Sequence, residues 1–460
     1  MRSSFSSRLW RSRSIGSRVM LVAGAAAVLT CALAVGVSAA IASSKAAALI
    51  VWIDTSRVPY EKAYMKAHPG ANVKWVIYNG NQNGTGVLQS KFALWNRTGW
   101  PSDAPDVVFD TQNYDAVQLA TPPYNDLLDL TKYVPKSVLS NFAGASLKAN
   151  CETGSQVICL RNDSAADVLW VNQGLFTKFF PGQTPPTTWQ QLLTDSKQLQ
   201  SKHPGYISGD VGDQFDEDFI LWGNGCPLNQ VTEVQTININ PLSSNCTTIA
   251  KMIDQAGVLG KSWSTTGVFA SGFDARKVVM MVGPLWYGTA VFQNGAAHGV
   301  PTATMAAYPP LKATDGQHIT GALGGGLWLV TSHSKQPGPA AALAQYMATS
   351  PNIQTPGVDA GLPDYVPDQA AYLNSLATVF ANASVTEAAW KLAAAQVWPG
   401  WSPVPWSTDA VWGSTALPNL TKNPPASFAD QLEPYAIALS NQARLAGYTV
   451  KSADPKVGHP

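Results

Sequence analysis

The sequence predicts an α/β protein of two or more domains, and three observations carry that expectation. The chain has 460 residues, 45% hydrophobic and 13% charged, which is enough for a large core. It opens strand–helix–strand. Residues 46–54 (AAALIVWID) are an apolar β-favouring run. Residues 59–67 place Tyr60, Ala63, Tyr64 and Ala67 on one helical face, and residues 72–78 (NVKWVIY) alternate as a strand. Such a unit implies a parallel pair in an α/β layer. A second strand–helix pattern then fills residues 168–193 (VLWVNQGLFTKFFPGQTPPTTWQQLL).

The first 42 residues read as a targeting segment. Arg2, Arg8, Arg11, Arg13 and Arg18 stand there with no acid, residues 19–42 are apolar and small, and 38–40 and 40–42 offer cleavage sites. An uncleaved anchor is the alternative, since about 20 apolar residues span a bilayer. Cys31 follows a poor lipobox, because Thr30 is large for its position. The net charge is +1; without the five arginines, 25 Lys and Arg face 29 Asp and Glu, a net of −4. Nothing here suggests nucleic-acid binding, which needs a basic patch. A mildly acidic chain with 16 tryptophans suits a neutral polar ligand better than a polyanion.

Export makes Cys151, Cys159, Cys226 and Cys246 candidates for two disulfides. Three connectivities are open, and the local one, 151–159 with 226–246, is the simplest. A metal reading is weak, with no C-x-x-C and no nearby His.

Ligands of α/β proteins sit at the carboxyl ends of strands. The end of the first strand therefore makes Trp52 and Asp54 candidate contacts. The loop at 79–86 (NGNQNGTG) lacks the Gly-Lys-Ser/Thr of a phosphate cradle. Residues 87–96 read as a helix. Residues 104–110 (APDVVFD) read as a strand in which Asp106 is structural, while Asp110 and Asn113 beyond it are ligand candidates. Arg161, Asn162 and Asp163 lead into the stretch at 168–193, and Asp163 is the chosen candidate. In that stretch Thr187 or Thr188 caps a helix, with Gln190 or Gln191 completing a capping box.

Residues 210–218 hold Asp210, Asp213, Asp216, Glu217 and Asp218. They lack the calcium-loop pattern D-x-[DN]-x-[DN]-G and read instead as a helix N-terminus. Trp222 follows; it is a candidate for either ligand or core. Residues 283–287 (GPLWY) offer Trp286 and Tyr287. Residues 319–330 (ITGALGGGLWLV) offer a glycine hinge at Gly325. Prolines 399, 403 and 405 fix a loop that presents Trp401 and Trp406, while Trp412 belongs to a helix core. The chain beyond Gly447 is expected to be a disordered tail.

Several of these stretches, in this order, resemble the carbohydrate-type extracellular solute-binding proteins (family 1) of ABC importers. They are Leu169-Trp170-Val171-Asn172-Gln173-Gly174-Leu175-Phe176 with Pro186-Thr187-Thr188-Trp189-Gln190-Gln191-Leu192-Leu193, then 104–110, 269–287 and 319–350. Val171 departs from the family's Tyr, and Gln190 and Gln191 from its acidic pair. The resemblance implies the bilobal type II periplasmic-binding-protein fold, two α/β lobes around a hinged cleft. Lobe one is expected at 46–165 and 327–378, lobe two at 168–322 and 380–447, with the tail at 448–460.

It further implies capture of a mono- or oligosaccharide without chemical change, and delivery by a monomer to a membrane permease. In relatives an aromatic near 286–287 stacks on a pyranose, whose C–H face an indole can cover. The runner-up solutes are a polyol phosphate or a polyamine, and the less favoured class is a glycoside-active enzyme. No H-E-x-x-H or G-x-S-x-G is present. No catalytic residue, metal or cofactor is expected.

Overall fold

A computed structural model describes residues 47–79, 87–143, 150–233, 235–265, 267–268, 273–293, 304–356, 358, 361–376 and 380–458. The expected leader at 1–42, most of the loop at 79–86, and Phe269 and Gly272 lie outside them.

In chain order the first half comprises β1 (Leu49–Ile53), α1 (Val58–Ala67), β2 (Val73–Ile77), α2 (Val87–Thr98), β3 (Val107–Asp110), α3 (Asn113–Ala120), β4 (Leu160–Arg161), β5 (Asp163–Ser164), β6 (Asp167–Asn172), α4 (Gln173–Phe179), α5 (Trp189–Lys202) and α6 (Asp216–Ile220). There follow β7 (Gln230–Glu233), β8 (Thr236–Asn238), α7 (Ser244–Ala256), β9 (Met280–Pro284), β10 (Met305–Tyr308), β11 (Leu327–Val330), α8 (Pro337–Thr349), β12 (Leu362–Pro363), α9 (Val366–Leu376), α10 (Ala383–Gln396), α11 (Thr408–Thr415), α12 (Leu432–Leu445) and β13 (Thr449–Lys451).

A five-stranded sheet runs in the order β2-β1-β3-β11-β4. β1 is parallel to β2 and β3, as the strand–helix–strand opening predicts. Its near-continuous apolar sequence is what a parallel strand covered on both faces requires. Asp106 ties the start of β3 to β1 and to the segment after β11: its carboxylate accepts from the Ile50 amide at 2.8 Å and from Ser334 Oγ at 2.6 Å. A second sheet, β9-β6-β10, is antiparallel, with β6 buried along its whole length.

Two hydrophobic cores surround these sheets, giving a bilobal α/β molecule. One core gathers residues between Leu49 and Leu160 and between Leu327 and Ile353; the other gathers residues between Ala166 and Leu323 and from Leu362 to Val457. The chain therefore crosses three times, near 161–166, 323–327 and 353–362. β5 and β12 pair antiparallel within the crossings. Helix α9 was expected with lobe one, but Tyr372, Leu373 and Leu376 pack in the second core, where Tyr372 stacks on Trp390 of α10. Residues 448–458 were expected to be a disordered tail but pack on the second lobe, with Val457 in its core. β13 adds in parallel to β8, and the Val457 carbonyl accepts from Arg444 and Ser440. The disulfides are Cys151–Cys159 and Cys226–Cys246, the local pairing.

Candidate functional site

A cavity of about 330 Å³ lies between the two cores, at the crossings. Its floor is set by the hinge. Gly324 and Gly325 have φ of +74° and +84°, a region that L side chains rarely adopt. Their backbone folds around Arg161, whose guanidinium donates to Gly324 O at 2.7 Å and to Asp163 O at 3.1 Å. A Cβ on Gly325 would meet that guanidinium. The Asp163 carboxylate is locked by the Gly326 amide at 2.8 Å and by Asn162 at 3.2 Å. Asn162 also bonds Tyr60, Trp328 and Gln354, so it is a strut between elements.

Four indoles from the second lobe form one wall: Trp222, Trp286, Trp401 and Trp406. Trp222 and Trp401 stack at 5.5 Å with a 9° interplanar angle, and Trp222 Nε1 donates to Trp398 O. Trp286 is fixed by its Nε1 donating to Leu323 O at 2.7 Å; it is half-buried, whereas the other three are at most 7% exposed. The proline-bearing loop holds Trp401 through Ser402, which bonds Asn229 and the Val231 amide.

The facing wall comes from the first lobe: Arg57, Thr111, Gln112 and Tyr114, with Asn150 beside them. Tyr114 lines the cavity opposite Trp406, Thr408 and Asp409 of the second lobe. Burial, with Asp115 and Asp110 nearby, pushes that phenol above its ordinary range. Asp218 and Asp409 line the cavity, and their carboxylate oxygens cluster with those of Glu217 within 4.8 Å. Burial is the largest cause raising each of them. Asp409 is pushed up to about 6, and Asp218 and Glu217 are raised well above the carboxylate range by burial and then by repulsion from Asp409.

Of the eleven ligand candidates, Asp163, Trp222, Trp286, Gly325, Trp401 and Trp406 line this cavity. Four others do not. Trp52 packs in the first core against Tyr78 and Trp95. Asp54 is fully buried and caps the turn that presents Arg57, accepting from its amide at 3.1 Å. Asp110 is buried beside Asp115, and burial pushes it up to about 7. Tyr287 is fully buried in the second core, edge-on to Trp286 at 4.8 Å. Asn113 opens α3; its side chain lies outside the described set.

Arg57, Asn150, Phe215, Asn229 and Asp409 were not singled out. A weak signal existed for Asp409, an acid in the first turn of a helix capped by Ser407 just after the tryptophan loop. Thr111, Gln112 and Tyr114 follow β3, beside the candidates Asp110 and Asn113.

The chain is similar in fold to several solved sugar-binding proteins. One is the galacto-N-biose/lacto-N-biose I-binding protein of an ABC transporter from Bifidobacterium longum, in complex with lacto-N-biose. It is 15% identical with a TM-score of 0.67, covering 88% of this chain and 98% of that one. Another is an ABC-transporter-associated binding protein from B. animalis subsp. lactis, in complex with β-1,6-galactobiose, at 18% identity and TM-score 0.65, covering 88% and 99%. A third is the GacH receptor of Streptomyces glaucescens, in complexes with acarbose and a homologue, at 17% and 0.62, covering 86% and 98%. No curated protein matches the chain. A sequence model described as "Bacterial extracellular solute-binding protein" matches residues 52–354, about two thirds of the chain. With its two lobes, three crossings and interlobe cavity, the chain belongs to the bacterial extracellular solute-binding proteins.

Proposed function

We propose that this protein is the capture subunit of an ABC importer, and that it binds a mono- or oligosaccharide in the interlobe cavity and delivers it unmodified to a membrane permease. The observation that carries the reading is the cavity wall of Trp222, Trp286, Trp401 and Trp406 facing a polar rim. An indole covers the C–H face of a sugar ring, while Arg57, Gln112, Asn150, Asp163 and Asn229 can meet its hydroxyls. The solved neighbours bound to lacto-N-biose, β-1,6-galactobiose and acarbose support a sugar of that size. The protein acts as a monomer outside the membrane, exported by residues 1–42. Among the described residues no helix is long and apolar enough to cross a membrane.

Release to a permease requires moderate affinity. A micromolar Kd corresponds to about 8 kcal/mol, within reach of a few stacked rings and hydrogen bonds. The alternative solute, a polyamine, draws on one specific feature, the acidic wall of Asp163, Asp218 and Asp409. A thermal-shift screen with neutral sugars in one arm and polyamines in the other separates the two. The reading requires stabilisation in the sugar arm; stabilisation by polyamines alone refutes it.

A further inference from the structure

The loop entering α6 carries three carboxylates at three-residue spacing, Asp210, Asp213 and Asp216, whose oxygens lie within 4.8 Å of one another. Each has one oxygen engaged. Asp210 Oδ1 accepts from Thr265 Oγ1 at 2.8 Å, Asp213 Oδ1 from the Phe215 amide at 2.9 Å, and Asp216 Oδ2 from the Gly212 amide at 2.8 Å. The other oxygen of each, Asp210 Oδ2, Asp213 Oδ2 and Asp216 Oδ1, is buried without an N–H or O–H donor among the described residues. Asp210 is 4% exposed and Asp216 0%. The Tyr287 hydroxyl is also fully buried without a partner among the described residues. No ion pair joins any of the three to a Lys or Arg among the described residues.

Two buried carboxylates and a half-buried third, clustered and each with an oxygen lacking a donor, are costly to hold ionised unless a cation joins them. We infer that Asp210, Asp213 and Asp216 bind one calcium ion through those three oxygens. The donor set is all oxygen, which suits a hard cation. Calcium accepts an irregular shell of six to eight oxygens, which a loop supplying three carboxylates can begin, whereas magnesium demands near-octahedral geometry and keeps most of its waters. The donors' hydrogen-bond partners are themselves fixed: Thr265 Oγ1 also accepts from the Gly267 amide at 3.0 Å, and a Cβ on Gly212 would strike the Thr265 carbonyl. The EF-hand pattern is absent because the ligands come at every third residue, with Thr265 packed beside them. The ion fastens residues 210–216 and thereby positions Phe215 and Asp218, which line the solute cavity.

The test uses the purified protein stripped with EDTA. Terbium luminescence, excited through the neighbouring aromatics, and equilibrium dialysis with calcium give affinity and stoichiometry; thermal melts are run with CaCl2 and MgCl2. The expected result is one calcium per chain, displacing terbium. Tm should rise by about 3 °C at a hundred times Kd, with a smaller response to magnesium. Asp213→Asn and Asp216→Asn should each weaken calcium at least tenfold while melting no lower than the stripped wild type, since repulsion is relieved. Asp409→Asn, in the other carboxylate cluster, should leave calcium binding unchanged. Absence of calcium binding by dialysis to the wild type overturns the inference, whatever the variants do. So does binding that survives in both Asp213→Asn and Asp216→Asn, or that Asp409→Asn alone removes.

Discussion

Trp286 and Tyr287 are adjacent aromatics that sequence alone treats as equals, yet one lines the cavity and the other is fully buried. Packing against the second core decides this, since Tyr287 belongs to that core and Trp286 lies against it, and no local propensity reports which ring goes in. Asp54 and Asp110 show the same limit. Each stands at the carboxyl end of a strand, the right place for a ligand contact, but each turns inward to hold a neighbouring turn, so that Arg57 and Gln112 reach the cavity instead. Trp286→Ala should therefore weaken sugar binding about tenfold, the worth of one stacking contact, by calorimetry. Tyr287→Phe, which keeps the buried ring, should leave sugar affinity unchanged. At the hinge, Gly325→Ala combines a positive φ with a clash on Arg161 and should destabilise by about 1–3 kcal/mol in urea unfolding. Gly338→Ala, in helix Pro337–Thr349 with open space around it, should be neutral or stabilising by up to about 1 kcal/mol.

At the scale of elements the sequence was more legible, because periodicity and capping are local. β6 and α5 follow the 168–193 stretch closely. Asn172 caps the first helix, and Thr188 caps the second by accepting from the Gln191 amide, while Gln191 Oε1 returns to the Thr187 amide at 2.8 Å. Thr188→Ala should cost about 1 kcal/mol. The disulfide bonds close loops of 8 and 20 residues, so losing either should cost about 3 kcal/mol on the chain-entropy model.

The Asp110–Asp115 pair, between β3 and α3, sets a pH dependence. Burial raises Asp110 to about 7, and burial with repulsion from Asp110 raises Asp115 well above the carboxylate range. Folded values above unfolded ones mean that the native state binds the shared proton more tightly. The stability it confers is therefore present below about pH 4 and lost as pH rises through about 7. Asp115→Asn, whose amide can donate to Asp110 in place of that proton, should raise Tm at pH 8 and flatten the fall between pH 5 and 8.

The order of the two lobes along the whole molecule was readable only through resemblance, since nothing local announces that residues 327–353 return to the first core. The placement of α9 in the second core, and of β13 on β8, went unread for the same reason. Both are settled by packing between residues far apart in sequence, Tyr372 on Trp390 and Thr449 beside Thr236. The same long-range geometry sets how the molecule works. Gln112 and Tyr114 of one lobe and Trp286 and Trp401 of the other line the same cavity, so sugar binding should favour the closed lobes. Small-angle scattering should show a smaller radius of gyration with ligand than without.

The central claim is that the cavity holds a sugar and returns it intact. The measurement that tests it most directly is calorimetric titration of the purified protein with mono- and oligosaccharides, followed by chromatography of the recovered ligand. The account predicts one site per chain, a Kd near the micromolar range for at least one sugar, its loss in Trp286→Ala, and recovery of the sugar unchanged. Consumption of the sugar would make the protein an enzyme, and binding confined to polyamines would remove the carbohydrate; either result contradicts the account.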